Sequence, residues 1–538
     1  MAGAGLLGRR RGEFRISAPI VVGALLSMPL LVAAARSLVN GWNSPAGDVS
    51  LIELRVHDVG TSHTPLLGSY GRYGFNHPGP LWFVVLALPY RLTGNLLVGV
   101  LLVGMASIAA IVWVAARRGG LWLAGALTGL LVWGAGPAYL SDPWEPHGLL
   151  LPCTALLLLT FDTAAGRSKS LPLVAALASL VGAAQATLLP FAVAMGAVAV
   201  IAVVRAGDRR PLIIAGSVAA VLWMPTLIQQ FSGNPPNVSA MWAARSSPEP
   251  SLGLAKAWDT VGVELGHRAP WLGFSMPLDG LSPTVRTNAA PLIPLGLLAL
   301  LAALWRSRHP LVVTALVAVA AAVVAMSQLL GPVFVWIPEW LRVVGFGAWL
   351  AVGWVIVDRI PRALCATVLA FLSLVSVVDA ATFDREPDYL GDAIRTLVDR
   401  TDGIRAPVLV ESQTDIPLVF AGENVGVEVV VLEFEKRGIE TVVSESRADH
   451  VGPRRAEPER AVTSVCLRSV DVGGIDPLPA SVRAERERLL DELGLPRDAS
   501  VSDILRRAQE DPARRDVADK VRRIPDFPRL DLVRGACA

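Results

Sequence analysis

Residues 47–83, GDVSLIELRVHDVGTSHTPLLGSYGRYGFNHPGPLWF, gather Asp48, Glu53 and Asp58, Arg55 and Arg72, and His57, His63 and His77 directly after the first long apolar run. A carboxylate beside a low-dielectric layer resists ionisation and becomes competent to take a proton from a hydroxyl. An arginine presents a planar fork of donors that fits two oxygens of a phosphate. The segment therefore holds the parts for proton abstraction from an alcohol next to an anionic group. If 48–59 is helical, Leu51, Ile52, Leu54 and Val56 turn inward while Asp48, Arg55, His57 and Asp58 line a rim. A solvated loop with a capping aspartate is the plainer alternative for any single acid. The recurrence of charge beside turns such as GSYGRYGFNHPGP favours a site.

Two further stretches carry chemistry. SDPWEPHG (141–148) sets Asp142, Glu145 and His147 close together, as a second wall of the site or as carboxylate and imidazole ligands for a metal. Its other reading is an Asp-Pro helix start with Trp144 at a membrane interface. WIPEWLR (336–342) places Glu339 and Arg342 at the mouth of an apolar run, where an ionisable residue is a functional hypothesis by default and Arg342 is a candidate phosphate ligand. Gln185, in the break QATLLP, serves either a sugar hydroxyl or a helix end. No nucleotide-phosphate loop, zinc spacing or serine-nucleophile motif stands out, so no nucleotide cofactor is expected; a divalent metal ion stays open.

The elements that must position these residues are apolar. The chain has 538 residues, 53% hydrophobic and 17% charged, against about 25% charged in soluble domains. Several runs reach the ~20 residues needed to span a bilayer. The net charge of +2 gives no reason to expect a nucleic-acid partner. Positive charge is almost all arginine, with lysine only at 169, 256, 436 and 520, a bias that points to a GC-rich, bacterial genome. Arg9, Arg10, Arg11 and Arg15 put the N-terminus in the cytosol, and the run after them is too long for a signal-peptide core. Threading the remaining runs by the same rule gives about 11–13 spans. The stretch 80–116 crosses either once, with a dipping segment, or three times. Residues 39–79 then form the first outer loop.

After about 383 the composition changes. APVLVES, VEVVVLE and TSVCLRS read as strands, whereas PDYLGDAIRTLVDRT, ASVRAERERLLDELG and SVSDILRRAQED carry helical spacing. The fold class expected is an all-α polytopic membrane domain over 1–383 and an extracytoplasmic α/β domain over 384–538, in the cell membrane. Cys466 and Cys537 both fall in that domain, where an oxidising compartment favours a disulfide.

An acid after the first span, a second acid a few residues later, and then PLLGSYGRYGFNHPGPLWFVVLALPYRLTG resemble the first-loop signature of the GT-C glycosyltransferases. These polyprenyl-phosphate-dependent enzymes include protein mannosyltransferases, aminoarabinose transferases and cell-wall arabinosyltransferases. The counterparts here are Asp48 with Glu53, then His77-Pro78-Gly79-Pro80-Leu81, Trp82, Phe83 and Gly94. The pattern departs in two ways: four residues separate the acids, and Gly79 stands where the family has the first proline of PPL. The second acidic role is therefore open between Glu53 and Asp58. The resemblance implies inverting transfer of a hexose or pentose from a polyprenyl-phosphate donor to a glycan, lipid or protein acceptor. Asp48 would be the general base, with Arg55, Arg72 and His77 near the leaving phosphate and Asp58, Asp142, His147 and Arg342 binding substrate. A multi-span transporter or flippase for a lipid or glycan is the alternative, but it calls for ionisable groups at mid-membrane, and the span interiors here are nearly free of them.

Overall fold

The structure, a computed structural model, describes residues 17–71, 73–233, 235–279, 282–287, 294–414 and 426–537. The apolar runs form helices, eight of them long and apolar enough to cross a membrane: Ala18–Val39, Leu96–Arg117, Leu121–Leu140, Glu145–Ala164, Ala186–Ala206, Arg209–Ser232, Pro310–Ser327 and Arg362–Thr382. Shorter apolar helices (Leu81–Thr93, Ser168–Ala184, Leu295–Arg306) join them. Full-length helices are thus fewer than the 11–13 spans expected, because Pro, Gly and Gln interrupt several runs. Over 80–116 there is one short helix and one long one, with Gly94 in the left-handed region between them.

Burial sorts the helices. Leu150–Ala164 is buried nearly all round, as a central, uniformly apolar helix must be. Arg209–Ser232 lies at the periphery and exposes Ile213, Val221, Met224 and Leu227. At one end of the bundle the buried Asp162 receives Arg118 Nε at 2.7 Å and the Ser170 hydroxyl at 2.6 Å. The opposite end carries the loops of interest and the C-terminal domain.

The break at Gln185 shows how a loop supplies what a helix end lacks. Leu171–Ala184 stops at an extended Gln185, freeing backbone groups. Gly79 N donates to Ala183 O at 2.9 Å, and Ala186 N donates to His77 Nδ1 at 3.3 Å. A Cβ on Gly79 would stand 2.7 Å from Thr226 Oγ1, and a proline would lose the N–H. That is the physical reason for glycine in HPGPLW.

The C-terminal domain begins after a short connection at 383–388. Its four-stranded sheet runs Thr441–Val442, Val408–Gln413, Thr463–Val470, Arg529–Arg534, the first three parallel and the last antiparallel. VEVVVLE, expected as a strand, is the helix Val427–Lys436. Parallel neighbours need a crossover, and this helix supplies it between Val408–Gln413 and Thr441–Val442. Its valines are buried on every side, so the run has no amphipathic period to betray it. Tyr389–Asp399, Ala480–Leu493 and Val501–Glu510 are helical as expected, the last with a Ser500–Asp503 capping box. Cys466 and Cys537 form a disulfide.

The helix Asp48–Asp58 lies between the two units. Val49, Ile52 and Val56 enter the core of the bundle, whereas Leu54 enters the core of the C-terminal domain with Leu51 packed against it. The inward apolar set is therefore split between two faces, and the helix serves as a shared wall.

Candidate active site

Asp48 is the first residue of that helix, where the free N–H groups and the helix dipole favour a carboxylate. Its side chain keeps solvent access although protein surrounds it closely. Burial raises its carboxyl above the ordinary value; Trp144, within hydrogen-bonding reach, works against the rise, and the charge of Asp142 adds to it. Glu145 lies in the field of both acids. Three carboxylates thus lie close enough to feel one another's charge, Asp48 being exposed to solvent.

The 141–148 loop builds the rest. Asp142 accepts from Trp144 N at 3.0 Å and pairs with His147 Nδ1 at 2.8 Å. Burial works upward on Asp142, but His147 and Arg385 more than offset it and hold the carboxyl below its ordinary value. His147 Nε2 stands 3.1 Å from Glu339 Oε2, so the imidazole bridges two carboxylates. Burial pushes Glu339 up to about 8, with Arg342 working against it. The Ser69 hydroxyl donates to Glu145, and Trp82 Nε1 holds Pro143 O at 2.8 Å. The motif tryptophan thus clamps the acidic loop in place.

Two guanidinium groups face this cluster. Arg385, in the connection to the C-terminal domain, donates to Ser141 O at 2.6 Å and to Ser141 Oγ at 3.0 Å. Arg342 lies over the Tyr139 ring at 4.7 Å and donates to Gly134 O at 3.1 Å. The Nε of each is buried and finds no hydrogen-bond partner among the described residues. Aromatic rings complete the wall: Tyr139 on His147 at 3.7 Å, Trp144 against His147 at 5.0 Å, and Trp336 at 6.1 Å from Trp144. Carboxylates, guanidinium groups and flat aromatic rings therefore meet at one place.

Of the residues singled out in the sequence, the structure brings together Asp48, Asp142, His147 and Arg342. Glu53 lies elsewhere, buried, with Tyr90 Oη donating at 2.8 Å and Lys436 Nζ at 2.6 Å. Asp58 is bound by Arg455 through two bonds of 2.7 and 2.9 Å. Arg55 lies 3.5 Å from both Asp58 and Val451 O, and burial pushes its guanidinium down to about 10. These three hold the helix to its neighbours rather than line a rim, Arg55 and Asp58 towards Val451 and Arg455 and Glu53 between Tyr90 and Lys436. His77 is also scaffold: burial lowers it to about 4, so the ring is neutral and accepts from Ala186 rather than meeting a phosphate. Arg72 lies outside the described residues. Ser69, Tyr139, Trp336 and Arg385 join the cluster without having stood out by type or spacing; only the aromatic run before Glu339 hinted at Trp336.

Among the described residues, one trio of His, Asp and Glu brings its ligand atoms within 4.8 Å of one another: His57, Asp58 and Glu435. The Arg455 guanidinium already fills the space between those two carboxylates, so the donor set does not suit a cation.

Fold and site together define a polytopic helical protein with, among the described residues, eight helices of membrane-spanning length and a charged, aromatic cluster at the end that bears its α/β domain. No family model matches the chain, and neither a curated protein nor a solved structure does.

Proposed function

We propose that the protein is an integral membrane glycosyltransferase that moves a sugar from a polyprenyl-phosphate donor to a cell-envelope acceptor. The cluster lies on the extracytoplasmic side in this reading, with the N-terminus cytosolic. The acceptor hydroxyl oxygen attacks C1 of the donor sugar, the C1–O bond to phosphate breaks, and polyprenyl phosphate leaves with the bonding pair. Asp48 takes the hydroxyl proton. Arg342 and Arg385 stabilise charge on the departing phosphate, and Trp144 and Trp336 offer ring faces to sugar. The observation that carries this reading is the clustering of Asp48, Asp142 and Glu145 with the guanidinium groups of Arg342 and Arg385, at the end of an apolar bundle.

The test is sugar transfer in membranes containing the full chain, with a panel of polyprenyl-phosphate pentoses and hexoses. Asp48→Asn should lower transfer by roughly 10²–10⁴-fold, the usual worth of a general base. Undiminished transfer at normal protein levels would remove Asp48 from the mechanism. Movement of lipid or glycan across the bilayer without a new glycosidic bond would overturn the enzyme reading altogether.

A further inference from the structure

We infer that the C-terminal domain is part of the scaffold of the site, and that Glu428 is a positioning residue which sets the direction of Asp48 through the Gly47 N–H. The inference rests on the assignment of Asp48 above. Gly47 has φ 96° and ψ −141°, a backbone state that side chains other than glycine rarely enter. A Cβ there would meet nothing within 4 Å, so the demand is conformational and not one of packing. Such a turn persists only when its surroundings hold it.

The holding groups come from the C-terminal domain. Gly47 N donates to Glu428 Oε1 at 3.0 Å, and Ala46 N donates to Asp388 Oδ2 at 3.2 Å. Arg395 Nη1 donates to Ser44 O at 3.1 Å, and its Nη2 lies 2.9 Å from Asp388 Oδ2. The helix itself adds the Ser50 hydroxyl, 2.8 Å from Pro45 O. Glu428 is 7% exposed, and both its oxygens also accept from Gly426 N at 3.0 Å. Its carboxylate is thus pinned within its own domain while it reaches the residue next to Asp48. A buried acid is costly unless its hydrogen bonds are met, and the bond to Gly47 is the one that leaves the domain. Losing it frees the Gly47 torsions and swings the Asp48 carboxylate, and a displacement of ~1 Å costs roughly 10²-fold in rate.

The experiment compares the full chain with Glu428→Ala, Glu428→Gln, Gly47→Ala and Asp48→Asn in membranes, with polyprenyl-phosphate arabinose and polyprenyl-phosphate mannose as probes. Glu428→Ala should lower kcat roughly 10²-fold while the donor KM stays within about twofold, because the donor contacts are untouched. Glu428→Gln keeps an acceptor for the Gly47 N–H and should return most of the rate. Gly47→Ala, which strains the same turn from the other side, should match Glu428→Ala. Hydrogen exchange supplies a readout independent of catalysis: amides at 44–50 should exchange faster in Glu428→Ala while strand Val408–Gln413 stays protected. Wild-type kcat in Glu428→Ala, or unchanged protection at 44–50, would overturn the inference. If Asp48→Asn transfers normally while protection at 44–50 is still lost, the role given to Asp48 falls and the hold on the turn stands.

Discussion

Replacing Arg455 by methionine removes the cation that bridges Asp58 and Glu435. The guanidinium is about 1% exposed and makes five bonds: Nη1 and Nη2 to Asp58 at 2.9 and 2.7 Å, Nε and Nη2 to Glu435 at 2.7 and 2.5 Å, and Nη1 to Val451 O at 2.7 Å. Asp58 belongs to the helix of Asp48, whereas Glu435 and Arg455 belong to the C-terminal domain, so the cluster bolts one to the other. Removing one partner of a buried pair leaves an uncompensated charge, at a cost of about 3–5 kcal/mol. Among the described residues Asp58, its side chain 2% exposed, would keep only Arg55 at 3.5 Å, and Glu435 the Thr441 hydroxyl at 2.6 Å, so a cost within that range is expected. Replacing all three residues by apolar ones of similar volume should recover most of the loss, since the desolvation penalty goes with the charges. The assay is urea unfolding of the detergent-solubilised protein, followed by hydrogen exchange in strands Val408–Gln413 and Thr463–Val470. A cost below about 1 kcal/mol for Arg455→Met would refute the reasoning, because it would mean that water already shares the cluster.

The disulfide Cys466–Cys537 closes a loop of 71 residues; Cys537→Ser should destabilise the C-terminal domain by about 4 kcal/mol on the loop-entropy account, read as a lower urea midpoint together with a mobility shift on non-reducing gels. Stability should also depend on pH through Glu428. Burial pushes this acid up from 4.5 to about 7, so the folded chain keeps a proton that the unfolded chain has released. Folding takes up that proton within this window, and the contribution of Glu428 to stability therefore falls as pH rises from about 4.5 towards 7. Melting curves at pH 5 and 7.5 should separate less in Glu428→Gln than in the wild type.

Much of this was readable from residue order, for physical reasons. Apolar length announces a spanning helix because a bilayer sets a minimum, and a helix over 48–59 was open to view, although its inward set, expected at 51, 52, 54 and 56, divides between two cores. Asp142 and His147 were visible as a dense polar patch between apolar runs. What periodicity cannot carry is which of two cores a face meets. Glu53, Arg55 and Asp58 read as site residues because charge near a membrane is expensive, yet the partners that explain them, Lys436 and Arg455, lie hundreds of residues away. His77 read as a cation because its type permits it; only the packing of 77–79 against the broken helix at Gln185 makes it neutral. The helix Val427–Lys436 escaped because β-branched residues buried on all sides look the same in either secondary structure. Arg385 gave no signal at all, being one arginine among many just past a span.

Synthesis proceeds from the N-terminus, and 397 positions separate Asp58 from Arg455. At the ~5–20 residues per second of translation, Asp58 waits roughly 20–80 s for its counter-charge. The helix Asp48–Asp58 therefore remains an unfinished part while the bundle forms, and it is locked only when the last third of the polypeptide has folded. A chain built in this order secures that helix last, and a ribosome that stalls late leaves a product whose bundle has formed but whose Asp48 helix is unfastened.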